Sequence, residues 1–189
     1  MRMTTIATLL TFAALPAAAT DYQTAMQDYL ENNIQSWAQA PVLVTAIARQ
    51  NAETQGYSQH DINLLDKQWR AAVEAAKTEP LAPVLQNAAA DFLRQQISLS
   101  DGRITEIFIM DAQGLNVAAS GATSDFWQGD EAKFQKTYYL GKDATHIGAV
   151  ELDQSSRLYQ AQISLTISDT NTGVAIGAMT VGVDADSLM

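Results

Sequence analysis

A change of hydrophobic period constrains this 189-residue chain more than any other feature. Up to about residue 97, apolar side chains recur at the i, i+3, i+4 spacing of helices. After "SDGR", residues 100–103, they alternate every second residue, as in strands. A chain that is helical in its first half and strand-rich in its second must pack helices against a sheet. Interleaved βαβ units would mix the two periods instead, so the expected class is α+β.

Three helices are predicted. From Tyr22 the apolar stripe runs Met26, Tyr29, Leu30, Ile34 and Trp37, one long amphipathic helix that Pro41 kinks or ends before Leu43, Val44 and Ile47 resume the face. Ser58, with Asp61 three residues on, is a helix start whose stripe is Ile62, Leu65, Trp69 and Val73. A third helix is expected over residues 80–97, with Pro80 and Pro83 in its first turn and Leu85, Ala88, Phe92 and Leu93 inward.

Five mostly antiparallel strands should follow. Ile104–Met110, the "DAQG" turn and residues 115–120 read as a hairpin. Later come strands at 146–152, 158–167 (led in by Arg157) and 174–183, joined by the turns "DQSS" and "DTNTG". The aspartates of these turns suit local backbone hydrogen bonding. In the fourth strand Tyr159, Ala161, Ile163, Leu165 and Ile167 point one way and Gln160, Gln162, Ser164 and Thr166 the other. One face packs; the other meets bulk water or a polar pocket, and alternation leaves both open.

The N-terminus carries an export pattern. Arg2, an apolar run over residues 6–15 and Ala17-Ala18-Ala19 form a signal peptide, expected to be removed near residue 19. The product, residues 20–189, is expected to be a single periplasmic domain, with a helical part at 20–100 and a sheet part at 104–186. Without a cysteine it has no lipid-attachment site, and its stability must come from a core. A formal net charge of −10 disfavours nucleic acid and anionic membrane surfaces, which bind through clustered Lys and Arg.

Residues 124–140, "SDFWQGDEAKFQKTYYL", form the connection between the second and third strands. Only 7 % of the chain is aromatic, yet Phe126, Trp127, Phe134, Tyr138 and Tyr139 fall here, among Asp125, Asp130, Glu131 and Lys133. Such residues either cap the core where the chain crosses the sheet or also touch a ligand. The acids of "GDEAK" suit a helix start, and Lys133 reads as a solvated charge.

Motifs for catalysis are missing. There is no G-x-S-x-G elbow, no cysteine nucleophile and no phosphate-binding glycine loop, and His60 and His146 have no metal-ligand spacing. Asp184 and Asp186 read as surface acids rather than cation ligands. No enzyme activity, metal or cofactor is expected.

"IFIMDAQGLNVAASGATSDFWQGDEAKFQKTYYLG" followed by "HIGAVELDQSSRLYQAQISLTISDTNTGVAIGAMTVGVD" resembles the extracytoplasmic Cache, or PDC-type, sensor domains. The likeness spans residues 104–186, with the long helix in agreement. Its marks are a strand ending in D-x-x-G, an aromatic-acidic segment around a Trp, "ISLTISD" and a final "GAMTVGVD" strand. The resemblance implies a PAS-like sheet holding a small molecule between its open face and the crossing segment. Such domains feed chemoreceptor, histidine kinase or cyclic-nucleotide output modules. No apolar run of membrane-spanning length follows Asp186, so a separate membrane receptor or kinase is the expected partner.

Amino-acid-binding double Cache domains typically place an Arg two positions before the Trp, where it grips the ligand carboxylate, and a Tyr after it. Here Asp125 and Gln128 stand around Trp127, and Asp cannot donate the bidentate fork. That favours a cationic or polar neutral ligand over a carboxylate, with Trp127 and the tyrosines as cation-π partners. The candidate ligand-binding residues are therefore Asp125, Trp127, Asp130, Tyr138, Tyr139, Gln162 and Ser164. The expected function is small-ligand sensing. The alternative is a ligand-free Cache-type interaction module that dimerises through its long helix.

Overall fold

A computed structural model of the chain describes residues 17–152, 159–184 and 187. Most of the leader, the "DQSS" turn with Arg157 and Leu158, and Asp186 lie outside the described residues.

The long N-terminal helix is built in pieces. α1 (Ala17–Tyr29) runs through a π-helical turn, Leu30–Ile34, into α2 (Gln35–Ala38). The widened turn leaves carbonyls without their usual partners, and the side-chain amides of Asn32 and Asn33 donate to the Asp28 and Tyr29 carbonyls at 2.8 and 3.3 Å. Met26, Tyr29, Leu30, Ile34 and Ala38 stay buried throughout. Pro41 ends this rod: Ala40 is extended, as a residue before proline prefers, and Pro41 opens α3 (Pro41–Thr54).

α4 (Gln59–Glu74) starts at a capping box. The Asp61 backbone N–H donates to Ser58 Oγ at 3.3 Å, and the Ser58 backbone N–H donates to the Asp61 carboxylate at 2.9 Å. The expected third helix is interrupted. After a 3-10 turn, Glu79–Leu81, the short α5 (Ala82–Leu85) stops at Gln86, and α6 (Ala88–Leu99) begins afresh with the Asn87 side chain capping the Ala90 N–H at 2.8 Å. Restarting rotates the inward face: Ala89, Ala90 and Leu93 are buried and Ala88 is exposed.

The strands are β1 (Ile104–Met110), β2 (Asn116–Ala119), β3 (Thr145–Ile147), β4 (Glu151–Leu152), β5 (Tyr159–Ser168) and β6 (Ala175–Asp184). They form one antiparallel sheet in the order β2-β1-β6-β5-β3, with β4 also pairing β5. The strand expected at 146–152 is thus two short strands, β3 and β4, parted at residues 148–150. The helices-on-open-sheet, PAS-like α+β architecture is as the sequence implies.

Both faces of the sheet carry packing, unequally. Ile107, Ile109, Ala161, Ile163, Leu165, Ile167, Met179, Val181 and Val183 face the helical rod, α3 and α6. On the opposite face, Phe108, Met110, Ala119 and Ala178 pack with Trp69 and Ala72 of α4, Leu81, Val84 and Phe134. That second core stops partway across. Beyond it the same face is polar, carrying Gln160, Gln162, Ser164 and Thr166 of β5 and Thr180 of β6.

Candidate functional site

Register fixes what lies on the polar face. Phe108 pairs with Thr180, Thr180 with Ser164 and Ser164 with His146, making one row across four strands. A second row joins Glu106, Gly182 and Gln162, and Glu151 of β4 opposes Gln160. Antiparallel partners share a face, so the rows pass from the aromatic core at Phe108 to the polar edge at His146.

Over these rows lies a cleft of about 370 Å³. Its floor is Gln160, Gln162, Ser164 and His146; Gly148, Ala149 and Glu151 form one rim, and Glu131, Ala132 and Lys133 the wall. The wall is the start of α7 (Ala132–Gln135), held down by Phe134, which is wholly buried in the second core. A shallower recess of about 20 Å³ continues past Lys133 to Glu106, Phe108, Asp125 and Gln128.

The floor is tightly hydrogen-bonded. Glu106 Oε1 accepts from the Gln160 and Gln162 side-chain amides at 2.7 and 3.2 Å, Thr105 donates to Gln160 Oε1, and Ser164 and Thr180 share a 3.0 Å hydroxyl contact. Gly182 makes room for this cover. A methyl group there would lie 2.6 Å from Gln160 Oε1 and 2.7 Å from Thr105 Oγ1.

Lys133 is not the solvated charge its surroundings in sequence suggest. Its side chain is 16 % exposed; Nζ meets Glu131 at 2.9 Å and Gln128 Oε1 at 3.2 Å, and stands 5.3 Å from the centre of the Phe108 ring. Glu131, expected at a helix start, precedes α7 but pairs with Lys133 instead of capping it. His146 is half-buried, and burial, followed by the nearby positive charge of Lys136, holds its imidazole below the ordinary range.

The sequence candidates separate. Gln162 and Ser164 line the cleft, and Asp125 lines the adjoining recess. Asp125 is also an anchor: it accepts from Arg70 at 3.1 Å, Gln128 Nε2 at 2.7 Å and Ser124 Oγ at 2.9 Å. Trp127 is turned away from the cleft lining; its indole N–H donates to the Gln113 carbonyl at 2.9 Å and its ring rests against Gly129. Tyr138 stacks on Phe134 at 5.0 Å, and burial pushes its phenol up. Tyr139 is 65 % exposed, and Asp130 is exposed. None of Trp127, Asp130, Tyr138 and Tyr139 lines the cleft.

Gln160, His146, Glu151, Glu131, Lys133 and Ser124 line it without having been candidates. Gln160 shares the alternation that singles out Gln162 and could have been found from it. The others are brought in by strand register and by the placement of α7, which leave no local signal. Among the described residues, no group of three or more His, Asp or Glu side chains is placed to hold a metal ion.

No family model matches the sequence. No curated protein matches it either. Among solved structures, the chain is similar to the ligand-binding domain of the Campylobacter jejuni chemoreceptor Tlp3 in complex with L-valine: 12 % identity, TM-score 0.45, covering 89 % of this chain and 65 % of that one. It is similar to the extracellular domain of rpHK1S-Z16: 15 % identity, TM-score 0.46, covering 75 % of this chain and 61 % of that one. The sensor domain of the V. cholerae histidine kinase DctB is similar at 10 % identity and TM-score 0.36, covering 91 % of this chain and 58 % of that one. The chain therefore spans a little under two thirds of the Tlp3 domain.

Proposed function

We propose that the protein is a small-ligand sensing domain of the periplasm, which binds a polar ligand in the cleft between β5 and α7 and reports its occupancy to a separate membrane receptor or kinase. The observation that carries this reading is the cleft itself. It overlies a sheet face whose Gln160 and Ser164 side chains are buried and polar, a placement that water alone does not require. Gln162 and Ser164 form the floor contacts, and Asp125 holds the crossing segment at the recess. The export pattern over residues 1–19 supports the location, and no helix among the described residues is long and apolar enough to cross a membrane.

Dimerisation through the long helix as the sole function has less support. The apolar stripe that would form such a surface, Met26, Tyr29, Leu30 and Ile34, is buried in the protein's own core.

Thermal-shift screening of amines, amino acids, carboxylates and sugars tests the proposal. Stabilisation by at least one class, lost in Gln162→Leu, is the expected result. Silence across the whole panel overturns it.

A further inference from the structure

The hydrogen-bonding capacity of the cleft is lopsided. Among the described residues that line it, the cation Lys133 is already engaged by Glu131, Gln128 and the face of Phe108. The amide N–H groups of Gln160 and Gln162 are directed at Glu106. Acceptors remain: among the described residues the Glu151 carboxylate and the Gln162 side-chain carbonyl have no hydrogen-bond partner, and Glu131 uses one oxygen for Lys133. The chain's net charge of −10 draws cations toward such a site and repels anions. Among the described residues that line the cleft there is no Phe, Tyr or Trp, so a quaternary ammonium would find no cage of such rings to rest in.

We infer, building on the ligand-binding reading above, that the cleft takes a protonated primary amine or guanidinium compound, held by N–H···O hydrogen bonds to Glu151, Gln162 and Glu131 rather than by an aromatic cage. Such a group supplies the donors that these open acceptors lack. A carboxylate would have to displace Glu131 from Lys133 and sit beside Glu151. A quaternary ammonium has no N–H to offer.

Isothermal titration of the full chain with 1,4-diaminobutane, agmatine, choline, succinate and glucose tests this. The expected result is binding of 1,4-diaminobutane or agmatine and none of choline or succinate at the same concentration. Charge-assisted hydrogen bonds being the stronger kind, Glu151→Gln should weaken the amine roughly tenfold, and Gln162→Leu should weaken it as well. Glu151 is exposed at the rim, so its replacement does not threaten folding. Amine binding that ignores both substitutions lies elsewhere on the acidic surface and overturns the inference. Binding of succinate, choline or glucose instead, sensitive to Gln162→Leu, overturns the amine class while leaving the cleft as a binding site. No binding of any probe, together with a silent thermal-shift panel, overturns both.

Discussion

Asp111 and Thr54 are 57 positions apart in sequence and joined by a 2.8 Å hydrogen bond from the Thr54 hydroxyl to the Asp111 carboxylate. The wholly buried Asp111 also accepts from Gln50 Nε2 at 3.0 Å and from the Gln113 and Leu115 backbone N–H groups, both at 2.9 Å. One side chain thus shapes the β1–β2 turn and fastens it to α3. Asp111→Ala strands these donors in the interior and should cost about 3 kcal/mol. Asp111→Asn should recover little, because an amide presents N–H groups to partners that are themselves donors. Urea unfolding of both variants checks this.

Trp127→Phe removes the indole donor to the Gln113 carbonyl and should lower stability by about 1 kcal/mol. Ligand affinity should not change, since Trp127 does not line the cleft. A parallel titration and melt of the variant separate the two effects. A large loss of affinity at unchanged stability would contradict the placement.

Gly177 and Gly182 test packing on opposite faces of β6. A methyl group at Gly177 would overlap the Met110 carbonyl and lie 3.0 Å from Ile47 Cγ2, where backbone cannot yield. Gly177→Ala should therefore destabilise by about 2 kcal/mol, measured as a shift in the unfolding midpoint. At Gly182 the obstacles are side-chain atoms, Gln160 Oε1, Thr105 Oγ1 and Glu106 Cγ, rather than backbone. Gly182→Ala should cost less stability and should weaken ligand binding by disturbing the floor.

Stability should depend on His146 in mildly acidic solution. Burial, then the charge of Lys136, lowers its folded pKa below the ordinary 6.5, whereas the unfolded chain takes up the proton at that ordinary value. Stability from the neutral imidazole is therefore fully present above about pH 6.5 and is lost as pH falls through the lower folded value. His146→Asn should flatten this part of a midpoint-against-pH curve. Asp61 and Asp169, held below the ordinary 3.8 mainly by hydrogen bonds from Ser58 and Thr172 respectively, act only in stronger acid than that at which the His146 effect sets in.

Legibility followed the range of the interactions. Ser58 and Asp61 announce a helix start because the capping box closes within four residues. The "DAQG" turn is readable because Asp111 bonds the N–H groups of Gln113 and Leu115 locally. The break at Gln86 was not readable: Asn87 caps α6 while its amide N–H groups also donate to the Val117 carbonyl, a partner 30 residues away. The π-helical turn at Leu30–Ile34 likewise escapes a search for a 3.6-residue period, since it inserts one residue while keeping Met26, Leu30 and Ile34 buried.

By itself the sequence determined the α+β class, the hairpin, the alternating faces of β5 and the importance of the crossing segment, since periodicity and turn chemistry act between neighbours. Only tertiary structure decided what the crossing segment does. Asp66 Oδ1 accepts the Phe126 and Trp127 N–H groups at 2.8 and 3.1 Å, and Phe134 sinks into the second core. Together they aim Trp127 away from the polar floor and bring Lys133 and Glu131 above it. The row Phe108–Thr180–Ser164–His146 arises from pairings between segments far apart in the chain. No local pattern encodes such a register, by which Phe126, Phe134 and Tyr138 became packing and the cleft acquired its acids, amides and hydroxyls.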